Sequence, residues 1–138
     1  MNLLFMHPNM PGQFKHLCRK FAEDSNNKVV FVTKPKKGEI PGVRKIEYQP
    51  QREPQAPTHR YIIGLERGIL CGQEVWRHLK RLKAEGFVPD VAVTHPGWGD
   101  ALFLKDVYPD TPLLSFFEFY YHSRGGDVNL DPNDPITE

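Results

Sequence analysis

Three short apolar runs constrain this chain most: Leu3-Leu4-Phe5-Met6, Val29-Val30-Phe31-Val32 and Val91-Ala92-Val93-Thr94. Runs without polar alternation fit strands buried on both faces, as in parallel sheets covered by helices. Stretches of helical period lie between them. Pro11-Gly12 turns the chain into a helix from about Gln13 to Asp24, with Phe14, Leu17, Cys18, Phe21 and Ala22 on one face, and Asn26-Asn27 stops it. A second helical pattern runs from about His59 to Glu85, with Leu65, Ile69, Gly72, Trp76, Leu79 and Leu82 on one stripe and Gly86 closing it. Val43 to Tyr48 alternates, as expected of a strand nearer an edge. A short helix is expected from about Gly99 to Val107, and Pro112 to Phe117 forms a fifth strand. The alternation predicts an α/β fold: a Rossmann-like doubly wound sheet, mainly parallel, with helices on both faces.

At 138 residues, 39% hydrophobic and 25% charged, the chain is sized and composed as one globular domain. A net charge of +1 argues against nucleic acid as the partner. No run approaches the ~18 apolar residues of a membrane span. Cys18 and Cys71 form neither a ligand set nor a disulfide framework; Cys18 lies on an apolar stripe, as a core residue in a reducing compartment would. A bacterial, cytoplasmic protein is the expectation. Five prolines (Pro35, Pro41, Pro50, Pro54 and Pro57) mark a loop-rich stretch around the edge strand. Gly64, Gly68 and Gly72 recur at four-residue intervals, leaving one helix ridge bare for close approach to the sheet or for a kink. Residues 1–118 form the expected domain. Residues 119–138, aromatic and then acidic, form a tail leading towards a missing C-terminal part.

In open α/β sheets, ligands bind at loops leaving the carboxyl ends of strands. Two such loops carry histidine. His95-Pro96-Gly97-Trp98-Gly99-Asp100 follows the Val91 run, and His7-Pro8-Asn9-Met10-Pro11-Gly12-Gln13 follows the first strand. An imidazole exchanges hydrogen bonds with polar ligands at neutral pH, and an indole offers them a flat apolar face or packs beneath its loop. The candidate substrate-binding residues are therefore His7, Asn9, Gly12, Gln13, Gly97, Trp98 and Asp100, with His95 as the candidate positioning group. Glu118 is a second candidate, because a carboxylate buried in the run Phe116-Phe117-Glu118-Phe119-Tyr120-Tyr121 needs a partner: a ligand, Arg124 or a helix N-terminus. The first loop lacks both G-x-G-x-x-G and a Walker lysine, so no cofactor site is expected in this chain. No metal is expected either: no third histidine or cysteine joins His7 and His95, and only Asp100 and Glu118 could be added.

Three stretches, His7 to Leu17 (HPNMPGQFKHL), Pro89 to Leu104 (PDVAVTHPGWGDALFL) and Phe116 to Asp127 (FFEFYYHSRGGD), carry a family resemblance. Together they resemble the N-terminal half of a bacterial glycosyltransferase of two-Rossmann-domain (GT-B) architecture and retaining family-four type. Pro8 and Met10 depart from the usual first loop, His-Gln-Asn-Phe-Pro-Gly-Gln-Phe. The resemblance implies that this half binds a sugar or other hydroxyl acceptor, and that a nucleotide-sugar donor binds the protein's own C-terminal domain. It also implies that His95 touches the transferred sugar or the acceptor. The donor half of such enzymes carries two glutamates separated by seven residues. Glu66 and Glu74 match that spacing. They lie within the long helix of the first domain, however, where eight residues turn through ~800° and leave the carboxylates ~80° apart.

Two other readings stay open: a stand-alone Rossmann-like binding or scaffold module, and a small hydrolase using His95 with Asp100. A homodimer is a further expected possibility. So is peripheral contact with the inner membrane face, because Arg77, His78, Lys80, Arg81 and Lys83 cluster on the long helix.

Overall fold

A computed structural model of the chain describes residues 1–36 and 38–118. The tail at 119–138, with Arg124, therefore lies outside the described residues. The elements run β1 (Asn2–Met6), α1 (Lys15–Ala22), β2 (Lys28–Thr33), β3 (Val43–Glu47), α2 (Ile63–Ala84), β4 (Val91–Thr94), α3 (Leu104–Val107) and β5 (Leu113–Ser115). They build one five-stranded sheet in the order β3-β2-β1-β4-β5, every neighbouring pair parallel. The Rossmann-like α/β class follows.

The unbroken apolar runs are explained by what covers each face. Leu4, Met6, Val30 and Val32 point towards α2, into a core with Val75, Leu79, Leu82 and Leu104. Their sequence neighbours Leu3, Phe5, Val29 and Phe31 point the other way, towards Phe14 and Cys18 of the first helical segment. Each fully buried side chain of this size contributes roughly 1.5–3 kcal/mol. Polar residues at alternate positions would forfeit that on one face.

The helices differ from the sequence expectation in three places. A 3-10 turn at Gly12–Phe14 leads into α1, which ends at Ala22 rather than Asp24. On α2 the buried stripe is Cys71, Gly72, Val75, Leu79 and Leu82, with Trp76 half-buried and Leu65 exposed. Leu65 lies in the first turn of α2 and is 62% exposed, while Gly68 and Gly72 further along the helix approach the loop at Gly99. The expected Gly99–Val107 helix is only four residues, Leu104–Val107, because Gly99 takes a left-handed φ of 86° and ends a 3-10 turn at Pro96–Trp98. The fifth strand is likewise shorter than Pro112–Phe117. Among the described residues, no helix is long and apolar enough to cross a membrane.

Candidate functional site

The strand order reverses between β1 and β4. From β1 the chain winds outward through β2 and β3, then returns to β4 on the other side and continues to β5. Loops leaving β1 and β4 therefore diverge and open a crevice at their carboxyl ends. His7 directly follows β1 and His95 directly follows β4, and Met6 pairs with Thr94. Pairing in that register brings the two imidazoles together, with ring centroids 5.5 Å apart and planes at 82°.

The first loop wraps its own histidine. His7 is buried, and its Nδ1 lies 2.9 Å from both the amide nitrogen and the carbonyl oxygen of Asn9. It therefore has a partner whether it accepts or donates. Burial lowers the His7 pKa, against the Asn9 hydrogen bond, which raises it. Gly12, at φ +49°, closes over the ring: a Cβ there would lie 2.8 Å from His7 Nδ1. Glycine is needed at this point for both its φ and its missing side chain. The amide of Met10 donates to Thr33 Oγ1 at 3.0 Å, tying the loop to the end of β2.

The second loop and the chain after β5 build the mouth. Glu118 Oε2 lies 3.3 Å from His95 Nε2, and Gln13 Nε2 donates to Glu118 Oε1. Glu118 is exposed rather than buried in its aromatic run, and its partners are Gln13 and His95. Both ring nitrogens of His95 are buried and make no hydrogen bond among the described residues, since the Glu118 approach has ion-pair distance without hydrogen-bond alignment. Trp98 and Phe116 each stand 6.5 Å from the His95 ring, centroid to centroid, and a Cβ on Gly97 would meet that ring at ordinary contact distance. His95 thus lies beneath the mouth, with Gln13, Trp98, Phe116 and Glu118 at its surface.

Asp100 sits deeper than the sequence suggested. It is 1% exposed, its Oδ1 accepts from the Tyr48 hydroxyl, and its buried Oδ2 has no partner among the described residues. A group so enclosed anchors the loop from below. Burial raises its pKa, while the Tyr48 hydrogen bond and the nearby Lys34 and His95 pull it down. Tyr48 itself, equally buried, was not singled out by sequence; a tyrosine closing an alternating edge strand carries no signal of its partner.

The loop is held from above by the glycine ridge of α2. A Cβ on Gly72 would lie 2.8 Å from the Gly99 carbonyl oxygen, and one on Gly99 would lie 2.2 Å from that of Gly68. The ridge thus admits this loop, rather than the sheet, while Gly64 faces open space.

Chemically the site can hold and orient a polar ligand. Cys18 and Cys71 are buried, and burial pushes the Cys18 thiol up to about 12, so neither is a poised nucleophile. Glu66 is bonded to Arg52 and Thr58, and Glu74 to Arg77, so these two glutamates serve α2 locally. Among the described residues, no group of three or more His, Cys, Asp and Glu side chains is placed to hold a metal ion.

The model of the glycosyl transferase family 4 group matches residues 25–138. That span includes the His95 loop and Glu118 and leaves the His7 loop outside. No curated protein and no solved structure matches the chain. With most of its length matched, including β4 and the loop that carries His95, this chain belongs to the glycosyl transferase family 4 group.

Proposed function

We propose that this chain is the acceptor-binding half of a GT-B glycosyltransferase, which moves a sugar from a nucleotide-sugar donor to a hydroxyl acceptor. The observation that carries the reading is the convergence of His7, Gln13, His95 and Glu118 at the point where the strand order reverses. Family membership supports glycosyl transfer; the division of labour is our own reading. The donor would occupy a second domain that faces this sheet end.

An acceptor half must position a hydroxyl and need not attack anything itself. Glu118 can accept a hydrogen bond from an acceptor hydroxyl, and Gln13 can donate one. His95 lies beneath the Glu118 carboxylate, at ion-pair distance from it. His7 and Gly12 give the crevice its floor, and Asp100 with Tyr48 fixes the His95 loop. In a retaining reaction of this kind the leaving phosphate takes the acceptor proton, so the acceptor half needs no nucleophile of its own.

The test is to incubate the 138-residue chain with UDP-glucose or GDP-mannose and a panel of hydroxyl acceptors, then measure released nucleoside diphosphate and glycosylated product. No turnover is expected from this half alone, whereas the intact protein from its source should transfer sugar. Turnover by residues 1–138 would overturn the assignment. Absence of transfer by the intact protein across donors would overturn it too.

A further inference from the structure

The alternation of each strand sorts the side chains at its end to one face of the sheet or the other. Leu3 and Phe5 face α1, and His7, two residues on, keeps to that side with its ring 6.2 Å from Phe14. Val93 faces the same way and leads to His95. Val30 and Val32 face α2 instead, and the next residue of their series is Lys34. Thr33, between them, turns its hydroxyl to the amide of Met10 in the first loop. Tyr48 comes to lie beside Lys34, because Thr33 pairs with Glu47 and the Tyr48 amide donates to the Thr33 carbonyl at 2.9 Å. A second polar group thus gathers on the α2 side, away from the imidazoles: Lys34, Tyr48, Cys71 and Asp100.

Asp100 poses the question this group answers. It is 1% exposed, and one hydroxyl is its sole hydrogen-bond partner among the described residues. A carboxylate so enclosed takes up a proton unless a charge opposes it. The titratable groups that face it are Tyr48 from the end of β3, Cys71 from α2, His95 from its own loop and Lys34 from the end of β2. Burial favours the neutral acid; the Tyr48 bond opposes it, then the Lys34 ammonium, then His95. Lys34 is half-buried and makes no ion pair at contact distance among the described residues. Its charge therefore acts through space, where a partly buried pair is weakly screened. Its backbone is fixed as well, since the Lys34 amide donates to the Pro8 carbonyl at 3.3 Å.

We propose that Lys34 is a positioning residue for the His95 loop: its ammonium keeps Asp100 charged, and the charged carboxylate holds the loop through Tyr48. A neutral Asp100 would leave Tyr48 a neutral hydrogen bond, which contributes about half as much as a charge-assisted one. The end of β2 thereby supports the loop after β4, across the strand that carries His7. This role holds whichever polar ligand the mouth takes.

The test follows the Asp100 carboxyl carbon by NMR through a pH titration of the 138-residue chain, in wild type, Lys34→Met and Lys34→Arg. Asp100 should titrate at higher pH in Lys34→Met than in wild type, and Lys34→Arg, which keeps the charge, should return it. A double-mutant cycle in urea unfolding gives the second readout. At pH 7, Tyr48→Phe should lower the folding equilibrium constant about thirtyfold in wild type and only about fivefold in Lys34→Met, the difference between a charge-assisted and a neutral bond. The loop itself is read at the Trp98 indole N–H resonance, assigned against Trp76→Phe. Lys34→Met should shift it in the direction that Asp100→Asn does, and Lys34→Arg should leave it in place. Should the methionine variant not fold, Lys34→Gln removes the charge and keeps a polar stem, with the same readouts. An Asp100 titration that loss of the ammonium leaves unmoved would overturn the proposal. So would an equal cost of Tyr48→Phe in both backgrounds, or a Lys34→Met loss that persists undiminished in Asp100→Asn.

Discussion

Tyr48→Phe is the most direct probe of how the His95 loop is held. The change removes one oxygen and preserves the ring, so Tyr48 keeps its place in the core beside α2. What is lost is the hydroxyl donating to Asp100 Oδ1, and neither oxygen of a carboxylate 1% exposed then has a partner among the described residues. Hydrogen bonds to charged groups contribute roughly 1.5–3 kcal/mol. A loss near 2 kcal/mol at pH 7 is therefore expected, or about 6–8 °C in Tm for a domain of this size.

The pH dependence distinguishes this cause from general loosening. Burial already raises the Asp100 pKa and the Tyr48 hydroxyl opposes that rise, so the variant should raise it further. A carboxyl whose folded pKa lies above its unfolded value contributes full stability below the unfolded value, near 4. That contribution is lost as pH rises through the folded value. The gap between wild type and Tyr48→Phe should accordingly be about 1 kcal/mol near pH 4, where a neutral hydrogen bond is lost, and widen towards pH 7. Urea unfolding monitored by circular dichroism at both pH values measures it. Repeating the pair in an Asp100→Asn background should flatten the pH dependence, since nothing charged remains at that position. A gap below about 0.5 kcal/mol at both pH values would refute the anchoring role; a gap that does not widen with pH would refute the part played by the Asp100 charge.

Three further outcomes follow from the same geometry. Gly72→Ala should destabilise the chain by roughly 1–3 kcal/mol despite alanine's better helix propensity, because its Cβ would press on the Gly99 carbonyl; Gly64→Ala, facing open space, should stabilise it by up to ~1 kcal/mol, both read by thermal unfolding. Gly12→Ala should displace the His7 ring and cost roughly 1–2 kcal/mol, with the imidazole resonances of His7 shifted more than those of exposed His16 in NMR spectra. His7 should titrate below its ordinary value of 6.5 by NMR; with a lowered folded pKa, its contribution to stability is present above 6.5 and lost as pH falls through the folded value.

How much of this was legible in the chain depends on how local each signal is. Two-sided burial is written in consecutive residues, so the apolar runs at Leu3, Val29 and Val91 revealed three parallel strands and the class of fold. The face of α2 was less legible. Cys71 and Val75 are modest in size, whereas Leu65 and Ile69 advertise a stripe that is exposed at Leu65 and only half-buried at Ile69. The Gly99–Val107 segment has helical apolar spacing, but tertiary contacts between Gly99 and Gly68 hold Gly99 left-handed, and no local pattern records that constraint. At the site, sequence identified His7, Gln13, His95 and Glu118 separately. It could not show that Asp100 turns inward to Tyr48, 52 positions away in the chain, or that Glu118 lies open beside Gln13.

The juxtaposition of these residues is a product of topology rather than of any one motif. The family match begins at residue 25, yet the mouth draws Gln13 from before that boundary and His95 and Glu118 from after it. What joins them is the β1–β4 register: Leu3 with Val91, through Met6 with Thr94. That register is strongly specified, because a slip by one residue would send Leu4 and Met6 to the α1 face and Leu3 and Phe5 to the α2 face, into cores shaped for the other set. With the register held, the residue after β1 and the residue after β4 must emerge side by side, whatever they are. Histidine at both positions gives paired imidazoles. Gly12 over one ring and Glu118 beside the other then decide which is enclosed by its own loop and which supports the mouth. The sheet's core thus constrains the ligand site directly, and a substitution that loosens β1 against β4 should disturb the mouth before it unfolds the domain.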